Sequence, residues 1–127
     1  METLLNLEKL QSEDPKIKYG FAKELLKIAA ENPEQLYPHF DHWITLMRGD
    51  NKILRWTAID IIRHLSAVDK DRKVEARMDE LIDLLHGGHL ITCNHAIFAL
   101  GQFAKHQKSY KDKILKELLA ISEDTFN

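Results

Sequence analysis

Apolar residues recur along this chain every three or four positions, in runs broken by short polar stretches. That spacing gathers them on one face of a helix, because successive helical residues are about 100° apart. The clearest run is Asn51 to Ser66, NKILRWTAIDIIRHLS. It reads as one amphipathic helix centred on Ala58.

Upstream, Leu4, Leu7 and Leu10, with Leu5 beside them, predict a first short helix over Glu2 to Ser12. Asp14-Pro15 then opens a second helix, with the carboxylate as N-cap and the proline where its missing N–H costs nothing. This helix runs to about Ala30 and is expected to bury Ile17, Phe21, Ala22, Leu25, Leu26 and Ala29. Asn32-Pro33-Glu34-Gln35 starts a third helix that reaches Arg48. Pro38 lies inside it and predicts a kink or restart at Tyr37-Pro38. Gly49-Asp50-Asn51 is the tight turn into the central helix.

Downstream, AVDKDRK reads as a connector, and Asp69 or Asp71 is expected to cap a fifth helix carrying Met78, Leu81, Ile82, Leu84 and Leu85. Gly87-Gly88 ends it. A sixth helix, His89 to Lys105, carries Ile91, Ala96, Ala99, Leu100 and Phe103. The last helix starts near Ser109, with Asp112 at the capping-box position, and is expected to bury Ile114, Leu115, Leu118 and Leu119. The tail SEDTFN is expected to fray.

The runs repeat. Ile17, Ala22, Leu25, Leu26 and Ala29 return 36 residues later as Ile53, Ala58, Ile61, Ile62 and Leu65. They return again after a further 38 residues as Ile91, Ala96, Ala99, Leu100 and Phe103. The preceding helices keep the second offset, with Phe40, Trp43, Ile44, Met47 and Gly49 matching Met78, Leu81, Ile82, Leu85 and Gly87. Leu4, Leu7 and Leu10 match Phe40, Trp43 and Leu46 more loosely. A small residue at 22, 58 and 96 suits helices that cross closely there. A period in the high thirties built of two helices is the mark of a solenoid. The expected organisation is one domain over 1–127, with helix pairs at about 2–31, 33–67 and 71–106 and a lone helix at 109–122.

The run Leu54-Arg55-x-x-Ala58-x-x-Ile61-Ile62-x-x-Leu65 resembles the second helix of a HEAT repeat. SEDPKIKYGFAKELLKIA (12–29) resembles the turn and second helix of the same family, and the kinked first helix at Pro38 fits it too. The family's arginine appears only at Arg55; Tyr19 and Cys93 stand in the other copies. An armadillo-type arrangement is the close alternative, but no third short helix per repeat is visible. The resemblance covers nearly the whole chain. It implies an all-α, right-handed α-α superhelix of about seven helices, whose second helices line an inner, concave face.

Composition fits a folded helical domain: 44% of residues are hydrophobic, 30% are charged, and Gly and Pro are scarce. The net charge of -2 names no partner. The single Cys93 forms no internal disulfide, which points to a reducing, cytoplasmic setting. The N-terminus has no basic segment of the secretory kind, and no apolar run approaches the roughly 20 residues that cross a bilayer, so no membrane role is expected.

Charge is sorted along the repeats. Residues 15–29 hold four lysines against Glu24, and residues 51–66 hold Lys52, Arg55 and Arg63 against Asp60. Residues 89–105 hold Lys105 alone, whereas the fifth helix carries Glu75, Asp79, Glu80 and Asp83. With Ala58 pointing to the core, Lys52, Trp56, Asp60 and Arg63 face away from it. Their counterparts are Lys16, Gly20, Glu24 and Lys27, then Leu90, Asn94, Phe98 and Gly101, with Lys105 one turn on. Lys23, Ile59 and Ile97 flank the stripe. Sorted charge serves equally to keep a helix face solvated, and Trp56 and Phe98 serve equally as packing between neighbouring helices.

Reactive constellations are thin. His86, His89 and Cys93 gather around Gly87-Gly88, and His39 and His42 share a helical face, but neither set completes a metal site and there is no HExxH. Some HEAT-like enzymes hold a di-iron centre with His-Glu pairs; no histidine here precedes Glu. Asp60 beside Trp56 and Arg55 resembles the aromatic-plus-acid sites of HEAT-like base-excision enzymes, yet the sequence sets no second acid or base beside it. There is no nucleophile elbow, P-loop or dinucleotide glycine pattern.

The expectation is therefore a monomeric, non-catalytic interaction module without a cofactor. Lys16, Lys27, Lys52, Trp56, Arg63, Phe98 and Lys105 would grip an acidic or phosphorylated protein segment. A nucleic-acid-binding module using the same face is the alternative. A subunit holding a metal or pigment-like ligand is a third. Lys111, Lys113, Lys116 and Glu117 are expected to give the last helix a polar outer face that closes the stack.

Overall fold

Asp14 starts the first long helix as its position requires. Its carboxylate accepts from the Lys16 N–H at 2.9 Å, and Pro15 takes the first helical position. This helix, α1, spans Pro15–Glu31. The structure, a computed structural model, describes residues 6–121. They form α1, α2 (Phe40–Met47), α3 (Lys52–Leu65), α4 (Met78–Leu85), α5 (Leu90–His106) and α6 (Lys111–Leu119), with no strand among them. The chain is all-α, and no described helix is long and apolar enough to cross a membrane.

The expected helix at the N-terminus lies partly outside the described residues; Leu7–Gln11 within it is a 3-10 turn that buries Leu10. The expected tail at 122–127 also lies outside them. Thus six α-helices are described where seven were expected. The proline at 38 acts as anticipated: Pro33–Gln35 and Tyr37–His39 are separate 3-10 turns, and the α-helix begins only at Phe40. Asn32 makes no side-chain cap there. Asn51 does cap α3, accepting from the Leu54 N–H at 3.1 Å. Gly88 follows α4 at φ 82°, a conformation that glycine adopts without strain.

α3 sits between α1 and α5, with α2 against it and α4 against α5. Trp56, Asp60 and Arg63 meet Thr92, His95 and Phe98 in that order, so α3 and α5 run parallel. α1 runs the same way: Tyr19 near its start meets Asn51, and Pro33–Gln35 after its end meets Ser66–Val68. Among the described residues, every side-chain hydrogen bond that joins positions more than seven apart joins positions 31–36 apart. Ala22, Ala58 and Ala96, the small residues of the repeat, are all buried. Phe21, Leu25, Trp43, Ile62, Leu81, Leu100 and Phe103 fill the space between.

Four expected core residues are on the surface. Ile17 and Ile91 are 47% and 51% exposed, as is Ile53, the third member of their row, at 47%. They occupy the first turns of α1, α3 and α5, each five residues before the buried alanine and so about 140° round the helix from it. Leu115 and Leu119, the latter 77% exposed, lie on the side of α6 away from α4 and α5, so the terminal helix shows leucine as well as charge. Ile114 alone is buried there, with Leu118 leaning on the core.

The connector after α3 is tied down by Asp69, which accepts from the Tyr37 hydroxyl at 2.8 Å and from the Val74 and Glu75 N–H groups. Within this loop Arg72 takes φ 57°, in the left-handed region that costs an L residue about 1–2 kcal/mol. Arg72→Gly should therefore hold or raise stability, whereas Arg72→Val, whose branched Cβ crowds that conformation, should lower it by about 1–2 kcal/mol. Urea midpoints of the two variants check the ranking; equal midpoints would contradict it.

Candidate functional site

The seam between α3 and α5 carries most of the sequence-predicted face. Trp56 is half-buried there, its indole N–H donating to the Thr92 hydroxyl at 3.0 Å. Its ring lies flat on His95, with centroids 5.8 Å apart and planes 5° apart. His95 Nδ1 is 2.7 Å from an Asp60 carboxylate oxygen. One turn further on, the Arg63 guanidinium lies 5.6 Å from the Phe98 ring centroid. Phe98 itself is 62% exposed. Trp56 is thus neither free in a groove nor sealed in the core: part of it clamps α5 while the rest faces a cleft.

That cleft, about 400 Å³, lies among Lys52, Trp56, His89, Leu90 and Ile91. Lys16, Lys27, Lys52 and Lys105 are exposed on the same three helices, as Gly20, Glu24, Asn94 and Gly101 are. Ile59 is fully buried and Ile97 half-buried, so the flanks of the stripe are covered while Lys23 is not. Arg55 turns elsewhere, donating to the Gly49 carbonyl from Nε at 3.2 Å and from a terminal nitrogen at 2.6 Å, and so caps the end of α2.

Ion pairs are distributed unevenly. Arg48–Glu80, His86–Glu117 and Lys113–Asp79 all lie on the α2, α4 and α6 side. The two-pronged Arg48 contact holds the Glu80 carboxyl below the usual carboxylate range. On α1, α3 and α5 the one ion pair among the described residues is His95–Asp60. Lys16, Lys27, Lys52, Arg63 and Lys105 join no acid among the described residues.

Asp60 has a base beside it after all, contrary to the sequence expectation. His95 is 35 residues away, one helical turn short of the repeat offset, which conceals it from a search among chain neighbours. Asp60 holds the His95 ring by Nδ1 while Trp56 stacks on it. The Thr92 hydroxyl nearby is engaged by the indole, and the only thiol, Cys93, is buried, which pushes it above the ordinary thiol range. The arrangement joins two helices, and among the described residues no activated nucleophile stands beside the imidazole.

The histidine–cysteine group does not assemble. His86 turns to Glu117 at 2.9 Å, His89 is exposed and Cys93 points into the core. Among the described residues no three His, Cys, Asp or Glu side chains converge as a ligand set. His42 lies edge-on to Trp43 at 5.3 Å, with its Nε2 buried and unpartnered. Burial, and then the neighbouring His39, depress its basicity. The unfolded chain therefore takes up this proton more readily than the folded one. The contribution of His42 is present in full above about pH 6.5 and is lost as the pH falls below it. Urea unfolding at pH 7.5 and pH 5 should show a smaller drop for His42→Asn than for the parent; equal drops would remove His42 from the account.

No family model, curated protein or solved structure matches this chain.

Proposed function

We propose that the chain is a non-catalytic interaction module, a short HEAT-like α-solenoid whose α1–α3–α5 face binds an acidic or phosphorylated protein segment. Support for the solenoid comes from bonding between neighbouring copies: among the described residues, the long-range side-chain hydrogen bonds span one repeat and none spans two. Its right-handed superhelix and its reading as a single monomeric domain belong to the same proposal, as does residence in the reducing cytoplasm.

The observation that carries the function is the contrast between the two sides. On the α2–α4–α6 side Arg48 and Lys113 are matched to acids while Lys111 and Lys116 are not; on the α1–α3–α5 side no lysine or arginine among the described residues is, and Lys16, Lys27, Lys52, Arg63 and Lys105 are left for an outside anion. Phe98, capped by Arg63, and the open part of Trp56 supply apolar anchors among them. Cations steer and set register, while aromatic burial supplies affinity.

Fluorescence anisotropy tests this with a labelled Glu/Asp-rich peptide, its phosphoserine counterpart and a single-stranded DNA of similar length. Lys27→Glu with Arg63→Glu should weaken peptide binding by about tenfold or more. Tighter binding to the DNA, with a steep linear fall of log affinity against log salt, would instead assign the face to nucleic acid. No binding to any of the three would overturn both readings.

A further inference from the structure

Three isoleucines at matching places in successive copies stand half in water: Ile17, Ile53 and Ile91. Scattered exposed aliphatics are ordinary. These three are the same residue type, at the same register, in the first turns of three neighbouring parallel helices. Ile17 borders a cleft of about 400 Å³ with Lys9, Lys16, Gly20, Phe21 and a single acid, Glu24. Ile91 borders the equally large cleft that contains Lys52 and Trp56. Ile17 and Ile91 thus border clefts of the α1–α3–α5 face, and Ile53, exposed on α3 between them, lines neither.

We infer that this row seats an extended acidic segment in the polyproline-II conformation. The segment crosses the first turns of α1, α3 and α5, with an aliphatic side chain at every third residue and carboxylates aimed at Lys16 and Lys52. The inference rests on the acidic-segment reading of the face and adds the conformation, direction of crossing and residue spacing. Packed helices stand about 8–10 Å apart. A polyproline-II chain advances about 9 Å in each three-residue turn and returns a side chain to the same side. A β-strand returns one every two residues, about 6.6 Å, and reaches about 13 Å at the next return, so neither interval meets successive isoleucines.

Charge fixes the occupant. Lys16 and Lys52 each directly precede an isoleucine, and Lys9 stands beside the first. A second copy docked on this row by a two-fold axis would bring these like charges together, whereas an acidic segment answers them. In the third copy Leu90 replaces the lysine and is itself 56% exposed. The segment's acidic residues thus belong over α1 and α3, and its most apolar end over α5.

Three ten-residue peptides of a designed series test this on the full chain by isothermal titration. The first carries leucine at every third position with glutamates between; the second has the same composition with leucine at every second position; the third keeps the first spacing with Gln in place of Glu. The first should bind about tenfold more tightly than either of the others. Ile53→Thr with Ile91→Thr, both surface positions, should abolish its advantage over the second peptide while the thermal melt stays within a few degrees of the parent's. Equal binding of the two glutamate peptides, with loss on Lys27→Glu/Arg63→Glu, would keep the acidic-segment reading and overturn the isoleucine row. Failure of all three peptides, together with failure of the anisotropy probes, would remove both.

Discussion

Trp43→Ala is expected to lower the unfolding free energy by about 3–5 kcal/mol and the melting temperature by roughly 10–20 °C. Trp43 is fully buried in α2, its indole N–H donates to the Leu36 carbonyl at 2.9 Å, and His39 and His42 both pack edge-on against its ring. Truncation opens a cavity between α2 and α3 and leaves the Leu36 carbonyl, at the end of the Pro33–Gln35 turn, without its side-chain donor. Trp43→Phe keeps most of the volume and loses the hydrogen bond, so about 1–2 kcal/mol should separate it from the parent. Guanidinium unfolding distinguishes the three proteins; a Trp43→Ala loss below about 1 kcal/mol would mean that the core at α2 is not packed as described.

The two tryptophans show what the sequence could and could not say. Trp43 falls on the repeat position matched by Leu81, with apolar neighbours at i+1 and i+4, and both helical period and repeat assign it to the core. Trp56 is a single aromatic on the polar side of α3, and the period says only that it points away from Ala58. What it meets depends on how far α5 is slid along α3. That slide is one helical turn less than the repeat offset, which brings Thr92 and His95 to Trp56 and Asp60 where simple matching would bring Asn94 and Phe98. Arg63 reaches Phe98 for the same reason. Local periodicity carries no information about this displacement, because it belongs to the packing between copies.

The isoleucine row fails in a different way. Agreement among Ile17, Ile53 and Ile91 reads as a shared core position, yet repeats share edges as faithfully as they share cores. Each isoleucine stands five residues before the buried alanine of its helix, about 140° round from it, so it lies off the buried stripe where no neighbour covers it. Leu115 and Leu119 follow the same logic at the end of the stack: the stripe is legible, but the presence of a neighbour to cover it is not. Caps and breaks fared better where one local group decides them. Asp14 and Gly88 act as expected within a few residues, as does the restart before Phe40, whereas the expected caps at Asn32 and at the start of α6 make no side-chain bond.

Asp69→Ala should cost about 2–4 kcal/mol, a large loss for a residue in a connector. Sequence leaves Asp69 and Asp71 equivalent as caps; the structure separates them. Asp69 alone accepts from two backbone N–H groups, at 2.9 Å from Val74 and 3.1 Å from Glu75, and from the buried Tyr37 hydroxyl at 2.8 Å. Tyr37 Oη in turn accepts from the Asp71 N–H at 3.0 Å, so one phenol ties the loop to the preceding copy from both sides. Burial first, and then Asp69, raise the phenol above its ordinary range and keep it a donor at neutral pH. Tyr37→Phe should cost about 1–2 kcal/mol, less than Asp69→Ala, because the two backbone bonds survive. Since both variants break the same Tyr37–Asp69 bond, the double variant should cost less than the sum of the two by about 1 kcal/mol. Additive losses in urea unfolding would show that Asp69 stabilises its own turn alone and that the tie between the two copies carries none of the stability.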